Sequence, residues 1–295
     1  GYFFYNGGGD SQDTANKISK ITSKLGWAVQ CIGIPKTVDN DLPYTDNSPG
    51  FGSAAKYVAT STLEAGLDVA SMAETSTKVF VLEVMGRHAG WLAAASGLAS
   101  QLKGDPPHII IFPEIPFDKK KFLKEVNVTV KNEGYCVIVT SEGAQYKNGK
   151  FLSETNSKDA FGHKQLGGVA PFLADLINKS FGYKFHWSVS DYLQRSARHI
   201  ASQVDVDQAY EVGKCAVEYA EKGESAVMPI IIRGKTKKYT WKISKAPLTK
   251  VANIEKRMPK NYISKNGFNI TKACRDYLLP LIQGEAYPQY KIGLP

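Results

Sequence analysis

Apolar runs alternate with amphipathic segments along almost the whole chain. Short runs rich in valine, isoleucine, phenylalanine and tyrosine predict β-strands at residues 2–5, 27–34, 78–84, 108–112, 135–140, 184–189 and 227–232. Apolar positions at helical spacing predict helices at residues 11–25, 53–71, 90–101, 119–130, 166–181 and 206–222. Strands and helices in this order are typical of an α/β fold with mostly parallel sheets flanked by helices.

Several element ends are marked by residue type. Ser11 and Asp13 are candidate N-caps of the first helix, and Gly26 follows its last apolar position, where a left-handed residue is favoured. Asp205 is a candidate cap of the helix at 206–222. The polar stretch 142–168 predicts a loop region, and the lysine-rich stretch 234–263 predicts a peripheral strand pair and tail.

Length and composition indicate an ordinary globular protein. A chain of 295 residues holds one large or two ordinary domains, and 43% hydrophobic with 22% charged residues is a common balance. No apolar run is long enough to cross a bilayer, and the chain does not open on a secretory leader. The four cysteines are scattered in or beside apolar runs, which favours reduced core thiols. We therefore expect a cytoplasmic protein with no membrane partner.

The net charge of +9 favours an anionic partner. Nucleic acid, acidic membranes and small phosphorylated ligands all satisfy the sign of this charge. The densest basic run, residues 119–121, opens an amphipathic helix and is best explained as a solvated face. Because no nucleic-acid-reading signature is present, we expect no nucleic-acid partner.

A glycine-rich turn, residues 7–11, follows the first predicted strand. Glycines there let backbone N–H groups approach phosphate oxygens beside a helix N-terminus. The pattern is neither a P-loop nor a dinucleotide fingerprint. Taken alone, the glycine-rich turn is equally consistent with an anion-binding site and with a plain tight turn.

Residues 35–41, Pro-Lys-Thr-Val-Asp-Asn-Asp, follow the second predicted strand. In an extended segment Thr37, Asp39 and Asp41 share one face. One carboxylate can then accept a proton from an attacking hydroxyl while another binds a hard cation. A polar turn with side-chain hydrogen bonds is the structural alternative. Because turns at the ends of successive parallel strands are neighbours, we favour a joint site with the glycine turn.

A third polar turn, residues 85–91, follows the strand at 78–84. Gly86 lets the backbone approach a ligand, and Arg87 offers a fork of donors suited to phosphate. The alternative is an ordinary strand-to-helix turn with a surface arginine. We interpret His88 as structural, since a helix N-terminus disfavours an imidazolium.

Together these motifs resemble the 6-phosphofructokinase family. The matching pieces are residues 7–11, 35–41, 50–54, 85–91, 141–143 and 192–195, in family order and with family-like spacing. The resemblance implies a two-lobed α/β fold. A phosphoryl-donor lobe would comprise residues 1–52 and about 194–240, and a sugar-phosphate lobe residues 53–193 with the tail 241–295.

The resemblance also implies roles for individual residues. Asp39 would be the general base for the 1-hydroxyl of fructose 6-phosphate, with Thr37, Lys36 and Asp10 completing the catalytic set. Asp41 and the position of Gly9 would lie near Mg²⁺. The sugar phosphate would contact Thr37, Val38, Asp39, Met85, Gly86, Arg87, Glu142, Tyr192, Arg195 and Lys78. In many relatives the Lys78 position carries an arginine that reaches into a neighbouring subunit's site, so we expect a homo-oligomer, either dimer or tetramer.

The phosphoryl donor is predicted to be pyrophosphate. The donor pocket would be formed by Gly8, Gly9, Asp10, Ser11 and Lys36. Family members that use ATP usually carry glycine at the positions of Asp10 and Lys36. A carboxylate at Asp10 would crowd and repel a nucleotide α-phosphate, whereas the Lys36 ammonium would balance a compact pyrophosphate. The implied reaction gives fructose 1,6-bisphosphate in glycolysis and is close to reversible.

Two departures from the family pattern keep alternatives open. Gly9 stands where the family often has an aspartate or asparagine, so Mg²⁺ would depend on Asp41, water and pyrophosphate. The family also has a further α/β segment before the first strand, so we expect a fragment or a separate polypeptide that supplies it. An ATP-dependent enzyme and a non-catalytic sugar-phosphate-binding or regulatory subunit are the alternative functions.

Overall fold

The computed structural model describes residues 1–158, 164–166, 168–236 and 238–294. The strands are β1 (Tyr2–Gly7), β2 (Gln30–Pro35), β3 (Val79–Val84), β4 (Ile109–Ile111), β5 (Cys136–Ser141), β6 (Glu154–Lys158), β7 (Lys164–Leu166), β8 (Phe185–Val189), β9 (Val227–Arg233) and β10 (Trp241–Pro247). The α-helices are α1 (Gly9–Lys24), α2 (Phe51–Met72), α3 (Trp91–Ser96), α4 (Lys119–Glu133), α5 (Val169–Phe181), α6 (Leu193–Ser196), α7 (Gln203–Glu221), α8 (Leu248–Val251) and α9 (Lys272–Leu278).

The chain divides into two compact units. Unit 1 comprises Gly1–Ser53, Arg198–Lys256 and Pro280–Pro295. Unit 2 comprises Ala54–Ala197 and Arg257–Leu279. The α/β class with mostly parallel sheets is confirmed within each unit.

The unit 1 sheet has the order β1-β2-β9-β10. The first three strands are parallel, and β10 is antiparallel to β9. One side of the sheet forms a core with α1 and α8, which includes Ala15, Met228 and Leu248. The other side packs against α7 through Ile32 and Ala216. Side chains alternate across a strand, so helices cover both faces.

The unit 2 sheet has the order β4-β5-β3-β8 and is entirely parallel. Its central strands β3 and β5 are almost completely buried, as expected of parallel strands covered on both faces. Helix α4 starts at the Asp118 N-cap, whose carboxylate accepts from the Lys121 N–H at 3.0 Å, and ends at left-handed Gly134. The basic run 119–121 is therefore the first turn of an amphipathic helix, as predicted.

Both predicted caps at helix starts are wrong. Helix α1 begins earlier, at Gly9, with Gly8 as its N-cap. Helix α7 has Ser202 as its N-cap. Asp205 is buried in the first turn of α7, where its carboxylate accepts from the N–H of Gly50 (2.9 Å) and the hydroxyl of Ser53 (2.6 Å). It therefore fixes a loop distant in the sequence, which local pattern cannot reveal.

The part of the chain after residue 240 differs most from the sequence prediction. Residues 241–256 and 280–295, assigned above to the sugar lobe, belong to unit 1. The physical reason is strand pairing, since β10 hydrogen-bonds to β9 along its full length. The Ser202 hydroxyl also donates to the carbonyl oxygens of Leu281 (2.8 Å) and Gln283 (3.0 Å). The stretch 142–168 is not only loop, because β6 and β7 pair within it.

Other differences concern the lengths of elements. The helix predicted at residues 90–101 is limited to Trp91–Ser96. Strand β2 begins at Gln30, and Trp27 is an exposed residue of the preceding turn. Helix α1 ends as predicted at left-handed Gly26, where the N–H of Trp27 bonds the Thr22 carbonyl at 2.9 Å. In the part of the chain that is described, no helix is both long and apolar enough to span a bilayer.

Candidate active site

The carboxyl ends of β1 and β2 lie side by side in unit 1. Gly7 at the end of β1 pairs with Pro35 at the end of β2. The Gly7 carbonyl accepts from the backbone N–H of Lys36 at 3.2 Å. The side-chain amide of Gln12 donates to the carbonyl oxygens of Gly7 (2.9 Å) and Ile34 (3.1 Å), which ties the two strand ends together.

The glycine turn (residues 7–11) therefore packs against the start of the acidic loop (residues 36–50). A Cβ atom built on Gly8 lies 3.7 Å from Cβ of Thr37, an ordinary contact. The predicted adjacency of the two turns is confirmed. In this arrangement the structure brings together Gly8, Gly9, Asp10, Ser11, Lys36 and Thr37 at one edge of the unit 1 sheet.

The N-terminus of α1 has the features of an anion site. Its first N–H groups have no carbonyl partner within the helix, and the N-cap Gly8 has no side chain to accept from them. Beside Gly9 no described atom lies within 4 Å of a built Cβ, so a ligand group has room to approach. Asp10 is exposed in the same turn and adds a negative charge beside these N–H groups.

The acidic loop is not extended, which corrects the expectation that Thr37, Asp39 and Asp41 share a strand face. The Thr37 hydroxyl oxygen accepts from the N–H of Asp39 at 3.1 Å and closes a turn. Asn40 then adopts a left-handed φ of +54°. Hydrogen bonds local to the loop have replaced the strand geometry. Thr37 is buried and Lys36 is exposed, whereas Val38, Asp39 and Asp41 are half-buried.

Lys256 supports the acidic loop from the C-terminal part of unit 1. Its ammonium donates to the side-chain oxygen of Asn40 (3.2 Å) and to the carbonyl oxygens of Thr45 (3.1 Å) and Asp46 (2.8 Å). Burial lowers the pKa of Lys256 to about 8, against the opposing effect of the Asp46 and Asp41 carboxylates.

The donor set suits a magnesium ion that arrives with phosphate oxygens. Among the described residues no group of three or more His, Cys, Asp or Glu side chains is arranged to hold a metal. Mg²⁺ needs only one or two carboxylates when phosphate and water supply its other ligands. Asp41 can provide a carboxylate, while Gly9 provides open space instead of a ligand side chain.

A second cluster forms at the carboxyl ends of β3 and β5 in unit 2. Val84 pairs with Ser141, so the residues after them are neighbours. The N–H of Gly86 donates to a Glu142 carboxylate oxygen at 3.3 Å, and the Ser141 hydroxyl donates to the Gly86 carbonyl. Gly86 has a φ of +129°, which strongly favours glycine.

Glu142 has a perturbed titration. Burial raises the pKa of Glu142, while the Gly86 hydrogen bond and the Arg87 charge oppose the shift. Burial likewise raises the pKa of Glu83, whose carboxylate accepts from the N–H of Ala170 at 2.8 Å at the start of α5. A raised carboxyl pKa in a cluster of this kind is a common property of functional sites.

Tyr192 and Arg195 follow β8, whose carboxyl end lies beside β3. The Arg195 guanidinium carbon lies 4.1 Å from the centre of the Tyr192 ring, and both side chains are exposed. Between them, buried Gln194 accepts from the N–H of Met85 at 3.2 Å. This contact links the α6 segment to the Met85–Gly86 turn.

Lys78 is not part of this cluster. It directly precedes β3 and therefore lies at the opposite end of that strand from Gly86. Its ammonium donates to the carbonyl oxygen of Ala73. Within unit 2 the structure therefore separates Lys78 from Met85, Gly86, Arg87 and Glu142.

A family model described as phosphofructokinase matches residues 1–220. The chain belongs to the phosphofructokinase family. That match contains the unit 1 cluster and the unit 2 cluster and ends before β9 and β10, so Lys256 lies outside it.

Individual phosphofructokinase relatives match the whole of this chain, and the chain spans about 70% of their own length. It is 62% identical over 294 residues to a pyrophosphate--fructose 6-phosphate 1-phosphotransferase from Halomonas elongata, with 100% of the chain and 70% of the relative covered. A relative of the same name from Methylococcus capsulatus is 60% identical over 295 residues, with the same coverage. The crystal structure of a pyrophosphate-dependent phosphofructokinase from Marinobacter aquaeolei superposes with a TM-score of 0.91 at 60% identity, covering 100% of this chain and 71% of that one.

The sequence reasoning missed several supporting residues. Gln12 and Gln194 lie inside or beside recognised motifs, and both are in the first turn of a helix that follows a strand, which was the available signal. Glu83 was visible as a charge within an apolar strand run, which a parallel strand tolerates only with partners. Lys256 gave no signal, since it bonds a residue 216 positions away.

Gly143→Ala should weaken the unit 2 cluster. A Cβ at this position lies 1.9 Å from the Arg87 carbonyl oxygen and 2.6 Å from that of Gly86, so the turn must move. We expect a loss of about 1–3 kcal/mol in the free energy of unfolding and an increase in KM for the sugar phosphate. Denaturant unfolding and steady-state kinetics measure the two effects.

Gly213→Ala in α7 is the matched control. A built Cβ at Gly213 meets no described atom within 4 Å, and alanine is the better helix former. This variant should be at least as stable as wild type. Equal stability and equal KM for Gly143→Ala and wild type would contradict the packing argument.

Proposed function

We infer that the protein transfers a phosphoryl group from pyrophosphate to the 1-hydroxyl of fructose 6-phosphate and so forms fructose 1,6-bisphosphate. The observation that carries this inference is the identity of 56–62% with relatives named pyrophosphate--fructose 6-phosphate 1-phosphotransferase, extending over the whole chain. Phosphoryl transfer depends mainly on positioning and charge neutralisation. The unit 1 cluster and the unit 2 cluster each supply groups suited to these tasks.

Asp39 is assigned as the general base. Its carboxylate would accept the proton of the sugar 1-hydroxyl as that oxygen attacks the phosphoryl group. The turn closed by Thr37 fixes the backbone of Asp39, and Val38 lies in the same turn. Asp41 is placed one residue beyond left-handed Asn40 and is assigned to the metal.

The glycine turn and Lys36 are assigned to pyrophosphate. The open N-terminus of α1 supplies N–H donors for phosphate oxygens. Lys36, whose side chain is exposed, follows the end of β2, which is paired with the end of β1. The exposed carboxylate of Asp10 disfavours a donor that extends beyond two phosphates. These features support pyrophosphate over ATP as the donor.

Magnesium is the proposed metal. When bound with pyrophosphate it neutralises phosphate charge and draws electron density from the bond that breaks. Asp41 would hold it together with phosphate oxygens and water. The small number of protein ligands is consistent with an ion that enters with the substrate.

Residues of unit 2 are assigned to the sugar phosphate. Gly86 and Arg87 offer backbone and guanidinium donors, Glu142 accepts sugar hydroxyls, and Tyr192 with Arg195 forms an exposed cation–π pair suited to phosphate. Lys78 would act only on a site in a second copy, which supports a homo-oligomer. The free cysteines of the described chain support a reducing, cytoplasmic location.

A coupled assay tests the proposal. Purified full-length protein is given fructose 6-phosphate with Mg²⁺ and either pyrophosphate or ATP. We expect turnover with pyrophosphate, kcat/KM at least about tenfold lower with ATP, and loss of activity with EDTA that excess Mg²⁺ restores.

Each other outcome identifies a different error. Equal or faster turnover with ATP would contradict the donor assignment. Activity that survives EDTA would contradict the metal assignment. Saturable binding of fructose 6-phosphate without turnover by either donor would contradict the enzymatic function and indicate a regulatory subunit.

A further inference from the structure

The buried end of the acidic loop is held by a lysine that no motif contains. All three hydrogens of the Lys256 ammonium are directed to loop oxygens, on Asn40 (3.2 Å), Thr45 (3.1 Å) and Asp46 (2.8 Å). The backbone N–H of Lys256 also donates to the Asp41 carbonyl at 2.6 Å. A single residue therefore contacts the loop at four positions, 40, 41, 45 and 46.

Asn40 is the critical contact because of its place in the chain. It lies between Asp39 and Asp41, is completely buried, and has a left-handed φ of +54°. Such a conformation is uncommon outside glycine and persists when surrounding bonds hold it. The Asn40 side-chain oxygen accepts both from Lys256 and from the N–H of Ser48 at 3.1 Å. Asp39 and Asp41 are therefore joined directly to a buried residue that two hydrogen bonds hold in place.

Thr45 and Asp46 also have a second anchor, on β9 of the unit 1 sheet. The Arg233 side chain on β9 donates to both carboxylate oxygens of Asp46 at 3.0 Å. The N–H of Asp46 donates to the Ile231 carbonyl at 2.8 Å, and the Ile231 N–H donates to the Thr45 hydroxyl at 3.0 Å. Because these bonds do not involve Lys256, the loop stays attached to the sheet when the lysine is removed.

We propose that Lys256 is a positioning residue for phosphoryl transfer, which acts through Asn40 to set the directions of Asp39 and Asp41. The proposal rests on the function inferred above. In the roles assigned above, Lys256 contacts the acidic loop but does not contact any reacting atom. Its loss should therefore change the rate of the chemical step more than substrate affinity, since misplaced catalytic groups lower the rate steeply.

Lys256→Met is the primary test, with Lys250→Met as its control. Methionine keeps an unbranched stem but removes the ammonium, and Lys250 is an exposed lysine in the last turn of α8. We expect Lys256→Met to lower kcat with pyrophosphate at least about tenfold, to change KM for fructose 6-phosphate less than about threefold, and to keep the wild-type circular dichroism spectrum. Lys250→Met should have wild-type kcat and KM.

A double-mutant cycle separates positioning from general damage. If Lys256 acts through Asn40, then Lys256→Met combined with Asn40→Ala should be no slower than the slower single variant. Multiplicative losses would overturn the proposal, as would a kcat for Lys256→Met equal to that of Lys250→Met. If Lys256→Met does not fold, Asn40→Gly, which permits the left-handed backbone but removes the acceptor, is measured in the same way, and an unchanged kcat again overturns the proposal.

The wild-type protein in the same assay distinguishes the two levels of inference. An inactive wild type means that the proposed function is wrong. An active wild type with equally active Lys256 variants means that only the positioning role is wrong.

Discussion

Asp39→Asn should lower kcat for pyrophosphate-dependent phosphorylation of fructose 6-phosphate by about 10²–10⁴-fold, the usual contribution of a general base. Asparagine has almost the same shape as aspartate but cannot accept the hydroxyl proton at neutral pH. The turn should survive, because the bond from residue 39 to the Thr37 hydroxyl comes from the backbone N–H. KM for the sugar phosphate should change little. Initial rates in the forward and reverse directions measure the effect, which should be similar in both.

Asp207→Asn is the matched control for this variant. Asp207 is an exposed carboxylate on α7 that accepts a hydrogen bond from the Gln203 side chain. Its substitution should leave kcat, KM and the unfolding midpoint at wild-type values. If Asp39→Asn keeps more than about a tenth of wild-type kcat while the fold is intact, Asp39 is not the base.

Lys36→Met should lower kcat with pyrophosphate by about 10²–10³-fold, the size expected when one preorganised charge at a developing anion is lost. The lysine stands at the junction of the two turns, where its backbone N–H already bonds Gly7 and fixes its position. Its side chain is exposed, so the fold should not depend on it. Lys24→Met, at another exposed lysine in the last turn of α1, controls for a general loss of positive charge.

Asp10 should determine the exclusion of ATP. Asp10→Gly removes both the charge and the bulk of the side chain, whereas Asp10→Asn removes the charge alone, so the pair separates repulsion from crowding. We expect kcat/KM for ATP to rise in Asp10→Gly and to rise further when Lys36→Gly is added, while pyrophosphate turnover falls. An unchanged ratio of ATP to pyrophosphate turnover in these variants would contradict the claim that Asp10 and Lys36 determine the choice of donor.

Local sequence was sufficient for much of the scaffold. The amphipathic spacing of α4 gave its start and its buried face, and Gly26 marked the end of α1, because both signals arise from bonds within one turn of helix. The apolar runs of β3 and β5 located buried parallel strands for the same kind of reason. The predicted start of β2 was a few residues too early. Trp27 is an aromatic residue typical of strands, but it is exposed in the turn before β2.

The candidate site was only partly predictable. The neighbouring turns of unit 1 followed from the rule that parallel strands end on one edge, and the structure places them there. The conformation of the acidic loop did not follow. Alternation along a strand predicts one face for Thr37 and Asp39, but the hydroxyl of Thr37 closes a turn instead. Here a side-chain hydroxyl competes with a neighbouring strand to accept a hydrogen bond from a backbone N–H. The sequence does not show which of the two acceptors is used.

The sequence by itself determined the α/β alternation, the order of the polar turns and the family. Each of these features depends on short stretches of residues that are close together in the chain. Only the tertiary structure decided how the acidic loop is held and which unit the C-terminal strands join. Lys256 bonds Asn40 across 216 positions, and β10 joins the first sheet through β9. Such partners are chosen by chain topology and burial, and no local pattern of apolar and polar residues encodes them.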